Sequence, residues 1–227
     1  ATSCRTDDGA DLKQVLSEAA KYYANIFMPY ATQTSRAVER TRALAPAVIA
    51  PSHGVVWRQH RERIVEAYGR WTQGHTLPRV LVIYDTMWGS TDMMAHAIGE
   101  GASGEGVEVQ LHRLTASDMS DIVAQVLEAA ALCVGSPVLR GGVYPTVAAF
   151  LSCLRGLKPQ GKVGVAFSSY GWSGVAAKAI QQELEAAGVE VLPSAVEVNF
   201  VPTPEALERC RALGAEVARR VKAARGG

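Results

Sequence analysis

Arg79-Val80-Leu81-Val82-Ile83-Tyr84-Asp85-Thr86-Met87-Trp88-Gly89-Ser90-Thr91 is the stretch on which the reading of this sequence turns. Residues 79–84 are a short apolar run rich in β-branched side chains, placed just after Pro78. That is the pattern of a parallel strand buried on both faces. From Thr86 the composition turns to hydroxyls and glycine, and from Asp92 to Glu100 it turns again to helix formers. A strand, a hydroxyl-rich turn and a helix start together make an anion site. The first N–H groups of the helix have no partner within it, and the helix dipole adds roughly half a positive charge there. Thr86, Ser90 and Thr91 add hydroxyl donors, so residues 86–91 are expected to hold a phosphate.

Downstream, apolar runs alternate with helical patterns. Strands are expected at 79–84, 107–112, 131–135, 162–168 and 189–198, and helices at 91–103, 120–130, 144–155, 174–187 and 204–224. Five strands alternating with helices argue for an α/β fold with a parallel sheet covered on both faces. Right-handed crossovers leave few topologies, and a doubly wound five-stranded sheet of order 2-1-3-4-5 is the leading one.

Upstream, the pattern is mostly helical. Asp7-Asp8-Gly9 is read as the cap of a helix from Ala10 to Phe27, ended by Pro29. A second helix is expected over Gln33 to Leu44, a short strand at Ala47 to Ala50, and a third helix over Arg58 to Trp71. Residues 1–6 are expected to be unstructured, and the turn-rich Gln73-Gly74-His75-Thr76 marks a boundary between domains 1–76 and 77–227.

Composition excludes several classes. The 227 residues are 48% hydrophobic and 20% charged, with 23 basic against 22 acidic side chains and a net charge of +1. Nothing in that balance suits nucleic acid or an anionic membrane surface. No apolar run approaches the roughly 20 residues of a membrane span, and no signal-peptide pattern opens the sequence. Cys4, Cys133, Cys153 and Cys210 are far apart without a C-x-x-C pair, which favours free thiols in a reducing compartment. The sequence begins at Ala1 without Met, as a processed chain or a piece of a longer one would.

A doubly wound sheet places ligands outside the carboxyl ends of its strands, near the switch point. Three loops therefore matter. They are Thr86-Met87-Trp88-Gly89-Ser90-Thr91, Ser136-Pro137-Val138-Leu139-Arg140-Gly141-Gly142-Val143-Tyr144-Pro145, and Ser168-Ser169-Tyr170-Gly171-Trp172-Ser173-Gly174. One such loop alone is usually no more than a helix cap. Three together, each with Gly, hydroxyls and a large aromatic, suit a ligand with a phosphate at one end and a flat ring at the other. Flavin mononucleotide has that shape. A dinucleotide fits less well, because there is no G-x-G-x-x-G and no acidic residue at Leu111-His112-Arg113; the triphosphate motif G-x-x-x-x-G-K-[ST] is absent. The scattered histidines read as surface or capping residues, and Arg140 as a solvated loop charge.

Thr86 to Thr91, Gly135-Ser136-Pro137 and Ser169-Tyr170-Gly171-Trp172 resemble the three flavin loops of the flavodiiron proteins, or A-type flavoproteins. Lys21-Tyr22-Tyr23-Ala24-Asn25-Ile26 and Ala50-Pro51-Ser52-His53-Gly54-Val55-Val56-Trp57 resemble the end of that family's metallo-β-lactamase-like diiron domain. The resemblance implies a flavodoxin-like domain that holds FMN, with Thr86 to Thr91 at the phosphate and Ser136 to Gly142 and Ser168 to Gly174 at the isoalloxazine ring. It implies a rubredoxin-like or flavin-reductase donor and a head-to-tail homodimer that passes electrons to a diiron centre. His53 corresponds to the last histidine ligand of that centre.

Two departures accompany it. The H-x-E-x-D motif and the other diiron ligands lie upstream in the family and are absent here, and one histidine cannot hold two irons. The chain is thus expected to be a cytoplasmic electron-transfer module in which no side chain acts as acid, base or nucleophile. The other reading makes it part of an oxygen or nitric oxide reductase whose diiron portion is missing from this chain. The family also carries a pair of asparagines where this sequence has Arg140-Gly141, so a guanidinium is expected to raise the flavin's reduction potential. Two weaker readings are a cofactor-free receiver module, disfavoured by Gly135-Ser136 where an aspartate is needed, and an NAD(P)H-dependent quinone reductase.

Overall fold

The computed structural model describes residues 5–224. The chain divides into two compact units, Ala1–His75 and Thr76–Gly227.

In the first unit, helix α1 spans Leu12–Tyr22, and its cap is Asp11, whose carboxylate accepts the Lys13 and Gln14 N–H groups at 2.9 and 3.4 Å. The expected cap at Asp7-Asp8-Gly9 forms a separate 3-10 turn instead. The expected continuation to Phe27 is not α-helical: Tyr23–Phe27 widens to a π turn and Met28–Tyr30 tightens to a 3-10 turn. Pro29 has no N–H to give, and its ring would clash with the carbonyl four residues back, so the α ladder cannot pass it. Helix α2 follows over Ala31–Leu44 and stops at Ala45 in the left-handed region, just before Pro46.

Helix α3 covers Arg61–Thr72 and starts later than expected, because the N–H groups of Arg58, Gln59 and His60 turn to the Asp7 carboxylate at 2.8, 3.3 and 2.6 Å. Asp7 thus caps a chain segment 51–53 residues away. The expected strand at 47–50 is reduced to one antiparallel bridge, Ile49 with Trp57. Of the expected unstructured residues 1–6, Arg5 and Thr6 are ordered by Val56, which bridges Thr6 and donates its N–H to the Arg5 carbonyl at 2.9 Å. Residues 1–4, Cys4 among them, lie outside the described residues. Tyr23 is fully buried against the rings of Tyr68 and Trp71, each 5.4 Å away.

The second unit is a doubly wound α/β domain. Its strands are β1 (Leu77–Tyr84), β2 (Glu108–Arg113), β3 (Ala129–Leu139), β4 (Gly142–Val143), β5 (Val163–Tyr170) and β6 (Glu190–Asn199). The parallel order is β2-β1-β3-β5-β6, and the short β4 folds back antiparallel onto the end of β3. Apart from that hairpin this is the expected 2-1-3-4-5 arrangement. Helices α4 (Ser90–Gly104) and α8 (Pro204–Ala223) cover one face, burying Val80 and Val82; α5 (Met119–Glu128), α6 (Pro145–Leu157) and α7 (Ala176–Ala186) cover the other, burying Leu81 and Ile83. Helices α4 and α8 approach closely through glycines: a Cβ on Gly214 would stand 2.0 Å from the Ile98 carbonyl oxygen, and one on Gly101 2.0 Å from that of Arg211.

Gly214→Ala should therefore lower the unfolding free energy by about 3 kcal/mol, whereas Gly104→Ala, which meets nothing within 4 Å, should leave it unchanged or slightly higher; urea titration of the two variants checks this. Asp7 provides a pH test. Burial alone would raise its pKa, but the N–H groups of Arg58, His60 and Gln59 outweigh that and hold it at about 2. A depressed carboxylate stabilises the fold above its unfolded pKa, and the contribution fades as pH falls from about 4 toward 2. Asp7→Asn should cost about 2 kcal/mol at pH 7, and stability curves of variant and wild type should converge toward pH 2.

Candidate functional site

The three hydroxyl-rich segments meet at the carboxyl edge of the sheet, after β1, β3 and β5. In the first, Gly89 occupies the N-cap of α4 with φ of +88°, a conformation that favours glycine, and no side chain caps the helix. The Thr86 hydroxyl accepts the Gly89 N–H at 3.0 Å, which closes residues 86–89 into a turn. Ser90 is half-buried at the helix start. Thr91 is fully buried, and its hydroxyl lies 2.8 Å from that of Ser169, so it ties the first loop to the third. Tyr84 donates to Asp92 at 2.6 Å, joining β1 to the first turn of α4; burial first, and then this bond, push the phenol well above its ordinary range.

The second segment is more ordered than a loop. Ser136, Pro137, Val138 and Leu139 belong to β3, and Val138 and Leu139 pair with Val143 and Gly142. Arg140 and Gly141, at φ of +52° and +74°, form the two-residue turn of this hairpin, since two successive positive φ values match the twist of the flanking strands. The buried Ser136 hydroxyl donates to the Pro137 carbonyl at 2.8 Å and accepts the Tyr144 N–H at 2.9 Å, pinning the hairpin base.

In the third segment Ser168 and Tyr170 belong to β5. Asn199 and Phe200 hold its start: Asn199 Nδ2 donates to the carbonyls of Tyr170 and Gly171 at 3.2 and 2.6 Å, and the Phe200 N–H to that of Tyr170 at 2.7 Å. Gly174 packs against Tyr170 and Glu197, where a Cβ would stand 3.0 Å from both. Trp172, Ser173 and Gly174 are exposed.

The sheet edge thus carries backbone N–H groups and hydroxyls suited to a dianion. Trp88 and Trp172 stand 93% and 97% exposed in their loops, and Met87 is half-buried. The Ser168 hydroxyl is buried without a hydrogen-bond partner, and a Cβ at Gly89 or Gly141 would meet nothing within 4 Å. A phosphate with an attached aromatic ring suits that donor set, those open glycines and those uncovered indoles.

Sequence reasoning missed Asp85, Asn199 and Phe200. Asp85 is fully buried at the end of β1 and is hydrogen-bonded by Thr86, Arg113, Thr115 and Thr146. A lone acidic residue ending an otherwise apolar strand was the available signal. In the other unit, His53 is exposed with its ring 5.3 Å from that of Tyr22. Among the described residues no group of three or more His, Cys, Asp or Glu is placed to hold a metal ion, and no helix is long and apolar enough to cross a membrane.

Comparison with known proteins places these features. Residues 82–214 match the flavodoxin family. The sequence is 42% identical to a nitric oxide reductase of Moorella thermoacetica, over 97% of this chain and 56% of that protein. The rubredoxin oxygen:oxidoreductase of Desulfovibrio gigas superposes with a TM-score of 0.95 at 35% identity, over 98% of this chain and 57% of that one. The flavodiiron protein of Giardia intestinalis superposes with a TM-score of 0.93 at 31% identity, over 98% and 56%. The chain therefore spans little more than half the length of these relatives.

Proposed function

This chain belongs to the flavodoxin family, and from that premise we propose that it is the FMN-bearing electron-transfer part of a flavodiiron-type oxidoreductase. The observation that carries the reading is the convergence of an uncapped helix start, three hydroxyl-bearing segments and two uncovered indoles at one sheet edge. Backbone N–H groups of the first turn of α4, with the Ser90 and Thr86 hydroxyls, would hold the phosphate. The Arg140-Gly141-Gly142 hairpin and the Tyr170-to-Gly174 segment would flank the ring, with Trp88 and Trp172 covering it from water. Bound FMN would supply the one- and two-electron chemistry; the protein's part is to hold the ring and tune it.

Residues 1–76 we assign to the end of a metallo-β-lactamase-like domain, in which His53 is a single remaining diiron ligand. We place the chain in the cytoplasm, with a rubredoxin-like or flavin-reductase donor and a head-to-tail homodimer; the buried free thiols of Cys133 and Cys210 suit a reducing compartment. The second reading, a part of a complete oxygen or nitric oxide reductase, is favoured by the 42% identity to a nitric oxide reductase about half of which this chain spans. Iron analysis beside a visible absorption spectrum separates them: a yellow protein without iron supports the module, and near-stoichiometric iron the reductase.

Two variants test the site. Ser90→Asp places a carboxylate among the phosphate donors and should weaken FMN binding about a hundredfold by charge repulsion, read by flavin fluorescence titration; an unchanged affinity would remove this loop from the site. Thr91 is unsuited to the same substitution, since it is buried. Arg140→Asn removes a cation, and asparagine tolerates the left-handed backbone at that position well. It should lower the flavin midpoint potential by on the order of 20 mV, the energy of one water-screened charge, in a potentiometric titration.

A further inference from the structure

We propose that Asp85 is the positioning residue of the phosphate loop, holding it in register with the rest of the site so that the chain selects phosphorylated over unphosphorylated flavin. The proposal rests on the FMN reading above. Asp85 has no exposed surface, although it stands at the edge of the sheet where the chain turns toward α4. One carboxylate oxygen, Oδ1, accepts the Thr86 N–H at 2.9 Å, the Thr115 hydroxyl at 3.1 Å and Arg113 Nε–H at 3.4 Å. The other, Oδ2, accepts the Thr146 hydroxyl at 2.6 Å. A buried carboxylate is tolerated only when donors surround it, and here they do.

Those donors come from three separate places. Thr86 opens the phosphate loop, Arg113 and Thr115 lie where β2 ends, and Thr146 is in the first turn of α6, just beyond the Arg140-Gly141 hairpin. Asp85 is thus the common acceptor of the segments on both sides of β1. Its bond to the Thr86 N–H fixes the peptide plane of the residue whose hydroxyl closes the turn onto the Gly89 N–H. The direction of the N–H groups at the helix start is set through that turn. All four donors belong to the protein itself, so the role is positioning.

The consequence is specific. A carboxylate that orients the phosphate loop affects the binding of FMN and leaves riboflavin, which has no phosphate, nearly untouched. A carboxylate that merely holds the fold together affects both ligands alike. Asp85→Ala takes this acceptor from the Thr86 N–H and from the Thr115 and Thr146 hydroxyls, while Arg113 Nε keeps the Thr115 hydroxyl at 3.1 Å, and should weaken FMN binding about tenfold while changing riboflavin binding less than about twofold. Asp85→Asn should restore most of the loss: its carbonyl can face Thr86 and Arg113, and its amide can donate to the Thr146 hydroxyl, which turns to accept.

Fluorescence titrations of the whole chain with FMN and with riboflavin, at a temperature where each variant is folded, decide the matter. Thr146→Val removes one donor without disturbing the rest and should lower the FMN preference about threefold, so it carries the test if Asp85→Ala does not fold. Parallel losses for the two flavins, or an unchanged preference in both variants, overturn the assignment of Asp85 while leaving the FMN reading intact. A wild-type chain that binds neither flavin overturns the reading itself, and this assignment with it.

Discussion

Burial of β1 and β3 on both faces is the constraint on which the rest of the doubly wound unit depends. Val80, Val82, Leu81, Ile83, Leu132, Cys133 and Val134 have essentially no exposed surface, because helices cover the sheet on each side. A sheet enclosed in this way satisfies its backbone groups internally along the strands. At the carboxyl edge the ladder ends, and polar groups must find partners in loops and helix starts. Chemistry therefore gathers there, and here the edge is densely cross-linked by short polar side chains.

The cross-links divide by element. Thr91 with Ser169 joins the first segment to the third; Ser136 closes the base of the hairpin; Asn199 and the Phe200 backbone hold the start of the third segment. Each is a single bond of modest net worth, on the order of 1 kcal/mol. Together they take conformational freedom from the loop ends, which lowers the entropy cost of closing on a ligand. The two large indoles are left out of this network and stay free to meet a ring.

Legibility in the sequence followed the range of the interactions. The apolar strand runs and the helices between them are local patterns, and each expected element of the doubly wound unit is present within a few residues of its place. What escaped depends on distant partners. Asp7 reads locally as a helix cap beside Asp8, yet its acceptors serve residues 58–60, more than fifty positions on. The β3–β4 hairpin was hidden because its turn carries Arg140 where a glycine or asparagine would signal positive φ. Asp85 was passed over for the same reason as Asp7: its four donors are spread from residue 86 to residue 146. Thr91, a hydroxyl at the right spacing for a phosphate, also has a distant partner in Ser169 that its local sequence does not announce.

The polar groups at the edge divide into those engaged within the protein and those open to an incoming molecule. Asp85 is held by four donors and Asp92 by Tyr84, whereas Glu197, on β6 beside Gly174, keeps a buried Oε1 with no hydrogen-bond partner among the described residues. An acceptor surrounded by donors in a buried pocket, as Asp85 is, holds geometry. What the edge offers an incoming molecule is hydroxyls, backbone N–H groups, a cationic hairpin tip and exposed indoles. Those groups bind an anion, stack on a flat ring and bias its charge state. A site of that kind suits a cofactor whose own electronic structure carries the reaction.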